Sequence, residues 1–534
     1  MHAVWAIREL VDHIVGHLVD SSETSSSRLY VRSSTKYLSY LTDDAYRDVS
    51  SVGMSARLFR ESSLDVIWRT QIHLLPLFGL IGLVADIDEH TIDTMDICRP
   101  FDDCDIPNFL FYSGRIVNLC LDDSAAGARG RNFFFGDLHL SQPIVLFPKL
   151  RILLTEGSSH SGFVLRHIGD MLQTLTLAIP LPVMNILASK LTNLISLELA
   201  VVQESRNDQS VEVQKINTLR DILQSAQKLE DFSLRVSSPS SISAPIWEAL
   251  VQLPLLTTLC VSGAQLDTAP SRTTIRSLRR FEFVTRDIRS ATSVLSQCTF
   301  DHVESLTILI LTGHSLPPAE AAALFSAIVA ANPYTTLQEL EITAFFQSVG
   351  DHEDTDSTSV RIPASVLHPL LSLSSLQRLI LVVFWPWEAS DEFIDTMARA
   401  WPHLEDFHFD PSSKWSTPLA ESRCGITLRA IESLARHCPA LKFVNVPFDG
   451  TLPPPSNVKA EYPASVAQNT ALTKIGLGFL ATDSAAEIAA FLSRLFPKLE
   501  YVETVDISAQ WDEVSNLLRT SAGEWEKRFE QLSE

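Results

Sequence analysis

The stretch LTILILTGHSLPPAEAAALF, Leu306 to Phe325, runs from apolar residues through Gly-x-Ser into a helical pattern. That is the element order of a nucleophile elbow, in which a serine on a sharp strand-to-helix turn exposes its hydroxyl for acyl transfer. The elbow needs glycine two residues after the serine, where a side chain would clash, and Pro317 follows Ser315 there. His13 and His17 have the i, i+4 spacing of a zinc grip, but the glutamate of the metalloprotease form is replaced by Ile14. Asp351, Glu353, Asp354 and Asp356 crowd one stretch without the central glycine or terminal glutamate of a calcium loop. Cys424, His437 and Cys438 show no zinc spacing, and small buried cysteines are common core filler. Phosphate-binding and dinucleotide fingerprints are absent from the sequence. The expectation is therefore a chain with no catalytic residue, no metal and no cofactor.

The totals narrow the partner. Across 534 residues, 64 acidic against 42 basic side chains give a formal charge of −22, which repels a polyphosphate backbone and excludes general nucleic-acid binding. Seven scattered cysteines without a C-x-x-C pair read as reduced thiols in a reducing compartment. Arg8, Glu9 and Asp12 interrupt the apolar start before a signal-peptide core can form. The most apolar run, Leu74 to Ala85, is about 12 residues long, short of the roughly 20 that span a bilayer. A cytoplasmic or nuclear protein that inserts in no membrane is expected.

What must position any functional surface is a repeat. The pattern Leu-x-x-Leu-x-Leu recurs at Leu172, Leu194, Leu229, Leu256, Leu278, Leu306, Leu337, Leu376, Leu404, Leu441 and Leu472, with weaker copies at Ile116, Leu150 and Leu499. These are about 14 copies at intervals of about 22 to 39 residues, near the leucine-rich range. Between them LFSAIVAANP, FIDTMARAWP, LRAIESLARHCP and IAAFLSRLFP carry the apolar stripe of amphipathic helices. Pro148, Pro254, Pro402, Pro439 and Pro497 stand two residues before a repeat leucine, where proline stops the helix. The fold class expected is α/β: a leucine-rich-repeat solenoid over residues 81–510, with parallel strands lining a concave face and helices a convex one. A small helical module, residues 1–80, precedes it, and residues 511–534 form a capping helix.

In this frame Leu306, Leu309, Leu311 and Leu316 fill leucine positions and His314 the asparagine slot, as in LTTLCVSGAQL at Leu256. Thr307, Ile308 and Ile310 are then expected on the concave face. The same face draws Glu230 and Asp231, then Gln338, Glu339 and Glu341, then Glu405, Asp406 and His408. Such an acidic surface would attract a basic protein target and repel an acidic one, and the even alternative is that these residues only keep a solenoid soluble. Trp385 and Trp387, flanking Pro386 in a loop, are candidate partner anchors, and packing under a long loop is the equal alternative.

The first 80 residues carry a resemblance. Ile7-Arg8-Glu9-Leu10 with Ile14 and Leu18, then Arg57-Leu58-Phe59, then Leu64-Asp65-Val66-Ile67-Trp68 follow the order of the F-box consensus. Arg8 replaces the opening proline, and some 25 residues from Asp20 to Asp44 exceed the usual connection. Together with the irregular repeats, the chain resembles the F-box/leucine-rich-repeat proteins expanded in fungi. That resemblance implies docking on a Skp1-like adaptor of a cullin ligase core through Ile7, Leu10, Ile14, Leu18, Phe59, Leu64, Ile67 and Trp68. It also implies capture of a protein target by the array for ubiquitination.

Overall fold

The computed structural model describes residues 27–30, 37–40, 43–55, 57–72, 74–82, 104–121, 144–155, 161–179, 191–201, 209–236, 241–242, 244–263, 265–266, 273–311, 317–344, 362–383, 387–410, 425–446, 469, 471–477, 485–499, 501–504 and 512–520. The chain divides into two compact units, Met1–Leu256 and Thr257–Glu534.

In the first unit, Thr70–Gln71 (β1), Asn118–Leu121 (β2), Ile152–Thr155 (β3), Thr174–Ile179 (β4), Ser196–Val201 (β5) and Asp231–Val236 (β6) form a parallel ladder in chain order. Gln71, Leu119, Leu153, Leu175, Leu197 and Phe232 stand opposite one another across it. β1 lies within residues 1–80, so the helical module runs directly into the first rung. The helices Asp43–Ser55 and Arg57–Arg69 precede it, with Val49 wholly buried against Val52, Phe59, Val66 and Ile67. The long connection from Asp20 to Asp44 holds an antiparallel hairpin, Ser27–Tyr30 with Tyr37–Tyr40. The apolar run at Leu74 forms only the short helix Leu75–Leu80, with Leu77, Phe78 and Ile81 buried. No helix among the described residues is long and apolar enough to cross a membrane.

The second unit continues the pattern with Thr258–Ser262 (β7), Arg280–Thr285 (β8), Ser305–Ile310 (β9), Glu339–Ala344 (β10), Arg378–Val382 (β11), Asp406–Asp410 (β12), Phe443–Val446 (β13), Lys474–Leu477 (β14) and Tyr501–Thr504 (β15). Each pairs in parallel with the next. Parallel neighbours need a crossover, which the helices Ile288–Gln297, Pro318–Ala331, Asp391–Ala400 and Leu428–His437 supply between their flanking strands. Both units are thus α/β leucine-rich-repeat ladders. The repeat reaches one step further toward the N-terminus than Leu-x-x-Leu-x-Leu. Leu253, Ile275, Phe300, Leu373, Trp401, Cys438, Asn469 and Phe496 each precede a repeat's first apolar residue by three, and all are buried.

That extra column corrects one register. Leu306 pairs with Phe281 on one side and Leu340 on the other, both second-position residues, so the first position of this repeat is Val303. Val303, Leu306, Ile308 and Ile310 are buried at 2% exposure or less, whereas Thr307 and Leu309 are half-buried. A shift of three residues reverses the alternation of a strand, so Ile308 and Ile310 face the core and Leu309 takes the opposite face. Only Thr307 of the expected concave trio stays outward. Leucine and isoleucine fill every other position of LTILIL, and alternation within the strand therefore fits either frame. Phe300, three residues before Val303, settles it, as Trp401 does before Leu404.

The helices start and stop for local reasons. Ser390 caps Asp391–Ala400 by accepting from the Phe393 amide at 3.4 Å, Asp391 and Glu392 occupy its first turn, and Pro402 follows its end. Thr427 caps Leu428–His437 and also joins it to the preceding repeat. Its amide donates to Asp391 Oδ1 and its hydroxyl to Asp391 Oδ2, both at 2.6 Å. Farther along the same helix pair, Arg399 Nε lies 2.9 Å from Asp395 Oδ2 and His437 Nε2 lies 3.6 Å from Asp395 Oδ1. Burial opposes the Asp395 charge, but hydrogen bonds from Ser433 and Arg399 and the charges of Arg399 and His437 outweigh it, so the carboxyl titrates below 3.8. A carboxyl lowered on folding stabilises the fold fully above its unfolded pKa, and the contribution fades as pH falls through the folded value. The urea midpoint of wild type should therefore exceed that of Asp395→Asn at neutral pH, and the gap should close below 3.8. A gap unchanged at acid pH would mean that the charge does not join the two helices.

At the C-terminal end, residues 512–520 form a helix with Val514 and Leu518 buried. Ser515 Oγ lies 3.4 Å from both the amide and the carbonyl of Val502, in the centre of β15. A polar side chain thus meets the backbone of β15, the last strand among the described residues, whose outer edge would otherwise be open to uncontrolled pairing.

Candidate functional site

In every rung, the residues beside the leucines face away from the core and line up into columns. The two units treat these columns differently. In the first unit, the column between the two strand leucines reads Cys120, Leu154, Thr176, Glu198 and Ser233, and its first four members are 5% exposed or less. Glu198 is held by Arg235 at 3.1 Å and by the Thr176 hydroxyl at 3.4 Å. This central column is covered from β2 to β5, and a partner meets little of it there.

The matching column of the second unit reads Cys260, Glu282, Thr307, Glu341, Ile380, His408 and Asn445, all half-buried. The column before it carries Arg280, Ser305, Glu339, Arg378, Asp406, Phe443 and Lys474. The column after it carries Val284, Leu309, Thr343 and Val382. This face is where the second unit presents side chains of varied chemistry to solvent.

Glu339, Glu341, Asp406 and His408 all lie on it. Glu339 accepts from the Ser305 hydroxyl at 2.8 Å, and Asn445 Nδ2 lies 2.8 Å from His408 Nε2, an amide donor on an imidazole acceptor. Gly476 leaves room for that amide, since a Cβ there would stand 2.8 Å from Asn445 Cγ. Glu405 sits just before β12 and pairs with Lys442 at 2.5 Å, so its charge is answered within the chain. Glu230 and Gln338 likewise stand before their strands. The face is mixed rather than uniformly acidic, because exposed Arg280 and Arg378 interleave with the carboxylates.

Trp387 is only 8% exposed and packs between Phe325 and Phe409, at ring distances of 6.3 and 5.9 Å. It is core and not an anchor for a partner, because its β-strand pairing with Ile362 turns it inward. Trp385 lies outside the described residues.

Among the adaptor candidates, Ile7, Leu10, Ile14 and Leu18 also lie outside the described residues, as do His13 and His17. Phe59, Leu64 and Ile67 are half-buried. Trp68, 6% exposed, packs on Tyr112 at 5.0 Å and occupies the first-leucine position of the first rung, so an adaptor could not reach it without displacing Tyr112. Arg115 reinforces the junction by pairing with both Glu61 and Asp65 of the helix Arg57–Arg69. The aromatic that completes the F-box pattern is thus spent on joining the helices to the ladder.

Ser315, His314 and Leu316 fall outside the described residues, as do Asp351 to Asp356 and Cys424. Residues 311–317 separate β9 from the helix Pro318–Ala331, a longer connection than the sharp turn of an elbow. Cys438 is buried, with its thiol pushed up to about 12 by desolvation, which leaves an inert filler. Among the described residues, no three histidine, cysteine or carboxylate side chains converge on a point that could hold a metal.

No protein-family model and no curated protein matches the sequence. Among solved structures, a protein of Bacteroides fragilis aligns over 63% of this chain and 72% of its own, at 13% identity and a TM-score of 0.29. A chain of the mouse RP105/MD-1 complex aligns over 67% of this chain at 14% identity and a TM-score of 0.34. This chain spans 54% of the length of that mouse chain.

Proposed function

We propose that this chain is a non-enzymatic protein-binding scaffold that holds a protein target on the outward columns of the unit Thr257–Glu534. The observation that carries the reading is the contrast between the two ladders. The central outward column, buried from β2 to β5 in the first unit, is half-buried and chemically varied throughout β7 to β13 in the second, where a parallel sheet presents it in fixed rows. Repeat ladders serve this purpose because each rung adds a row without a new core.

We propose further that the scaffold is the substrate receptor of a Skp1–cullin ligase, with the N-terminal helices as the docking element. Support comes from the F-box-like order of Ile7 to Leu18, Phe59 and Leu64 to Ile67, and from the packed helix pair Asp43–Ser55 and Arg57–Arg69 ahead of the first rung. The receptor's contribution to the reaction would be positioning alone. Purified Skp1 should be retained by the immobilised full chain and lost on Leu10→Asp. No retention by a folded chain retires the ligase role and leaves a scaffold without one. Arg8 and the hairpin within the long connection favour that second reading.

A further inference from the structure

The outward face across β8 to β11 combines two unlike columns. Glu282, Thr307, Glu341 and Ile380 run beside Val284, Leu309, Thr343 and Val382, in register from rung to rung. Glu282 and Glu341 are half-buried and form no ion pair among the described residues, though Thr343 reaches Glu341 at 3.5 Å. A half-buried carboxylate without a counter-ion loses hydration and gains nothing for the fold. Beside it, Val284, Leu309, Ile380 and Val382 leave apolar surface in contact with water.

We propose that the partner seated here is an amphipathic basic α-helix lying along the ladder. Its apolar stripe would cover Val284, Leu309, Ile380 and Val382, and its lysine or arginine side chains would stand over Glu282 and Glu341. This deepens the scaffold reading and rests on it. An extended segment laid on the face of a sheet would leave its own amides unpaired, whereas a helix satisfies its backbone internally. The spacings also agree: rungs stand about 4.8 Å apart, close to the helical pitch of about 5.4 Å, so one turn of helix falls near each rung. Glu282 and Glu341 are two rungs apart, about 10 Å by the same spacing, which at about 1.5 Å per residue calls for basic residues about seven positions apart. On the neighbouring column exposed Arg280 and Arg378 repel the same residues at the two outer rungs, with Glu339 between them, which biases the basic flank toward Glu282 and Glu341.

Two fluorescent helical peptides test the proposal. They share a leucine stripe at i, i+3, i+4 and i+7, and differ only in carrying lysine or glutamate at two flank positions seven apart. The full chain should bind the lysine peptide at least roughly tenfold more tightly by anisotropy, with a preference that shrinks in high salt. In the folded double variant Glu282→Lys/Glu341→Lys the preference should reverse. Equal binding, a preference for the glutamate peptide, or a lysine preference untouched by the double variant overturns the helix proposal and leaves the scaffold reading standing. Binding of neither peptide also overturns it, while the Skp1 retention above, which does not involve this face, reports on the ligase role alone.

Discussion

Trp401→Ala is expected to destabilise the Thr257–Glu534 unit by about 4 kcal/mol, the range for deleting a fully buried tryptophan from a close-packed core. Trp401 is 0% exposed, and its indole N–H points to the Leu370 carbonyl at 3.4 Å. Its own carbonyl accepts from the Leu404 amide at 3.1 Å and lies 3.5 Å from the Cys438 thiol, so three successive repeats meet around it. Trp401→Phe keeps most of the apolar contact and should cost about half as much or less, since only part of the volume and one long hydrogen bond are lost. Urea titration followed by circular dichroism measures both. Equal and small shifts for the two variants would mean that the site collapses onto the space left by the ring.

The second large effect belongs to a polar residue in the same buried column. Asn469, 1% exposed, donates to the Cys438 carbonyl at 3.0 Å and accepts from the amides of Ala471 and Leu472 at 2.8 and 3.1 Å. It thereby fixes the turn into β14 and ties it to the end of the preceding helix. Leucine matches its size and the apolar chemistry of Phe496 or Leu373 elsewhere in the column. Asn469→Leu is nonetheless expected to cost about 3 kcal/mol, because three backbone groups lose their partner and each buried orphan costs about 1 to 3 kcal/mol. Hydrogen exchange should quicken first at the Ala471 and Leu472 amides. Unchanged exchange and an unchanged urea midpoint would show that water or other groups replace the asparagine.

Much of this was written in the chain. Leu-x-x-Leu-x-Leu placed the strands from Ile116 onward, and the proline stops at Pro402, Pro439 and Pro497 marked the ends of the helices before them. Both signals are local: strand alternation and helical periodicity are properties of a few consecutive residues, and proline acts on its immediate neighbours. The first rung was not legible in the same way, since β1 has only two residues and carries Gln71 where leucine is usual.

The functional face shows where local signals stop. The residue types of Glu339, Glu341, Asp406 and His408 and their outward parity followed from the repeat, and all four share one face. The isoleucines of LTILIL did not follow, because a strand with leucine or isoleucine on both of its faces does not say which one looks inward. Pairing of Leu306 with Phe281 and Leu340 decides that. Nor could alternation reveal that Leu154 and Glu198 are buried on the same outward side where Ile380 and Glu341 remain half-open. Trp68 and Trp387 likewise had the residue type of a partner anchor but pack on Tyr112, Phe325 and Phe409. The sequence by itself determined the repeat, its elements and its net charge. Which outward positions are open, which carboxylates have a counter-ion and which aromatics are core were decided by the tertiary structure, because each depends on groups distant in sequence that only the folded chain brings together.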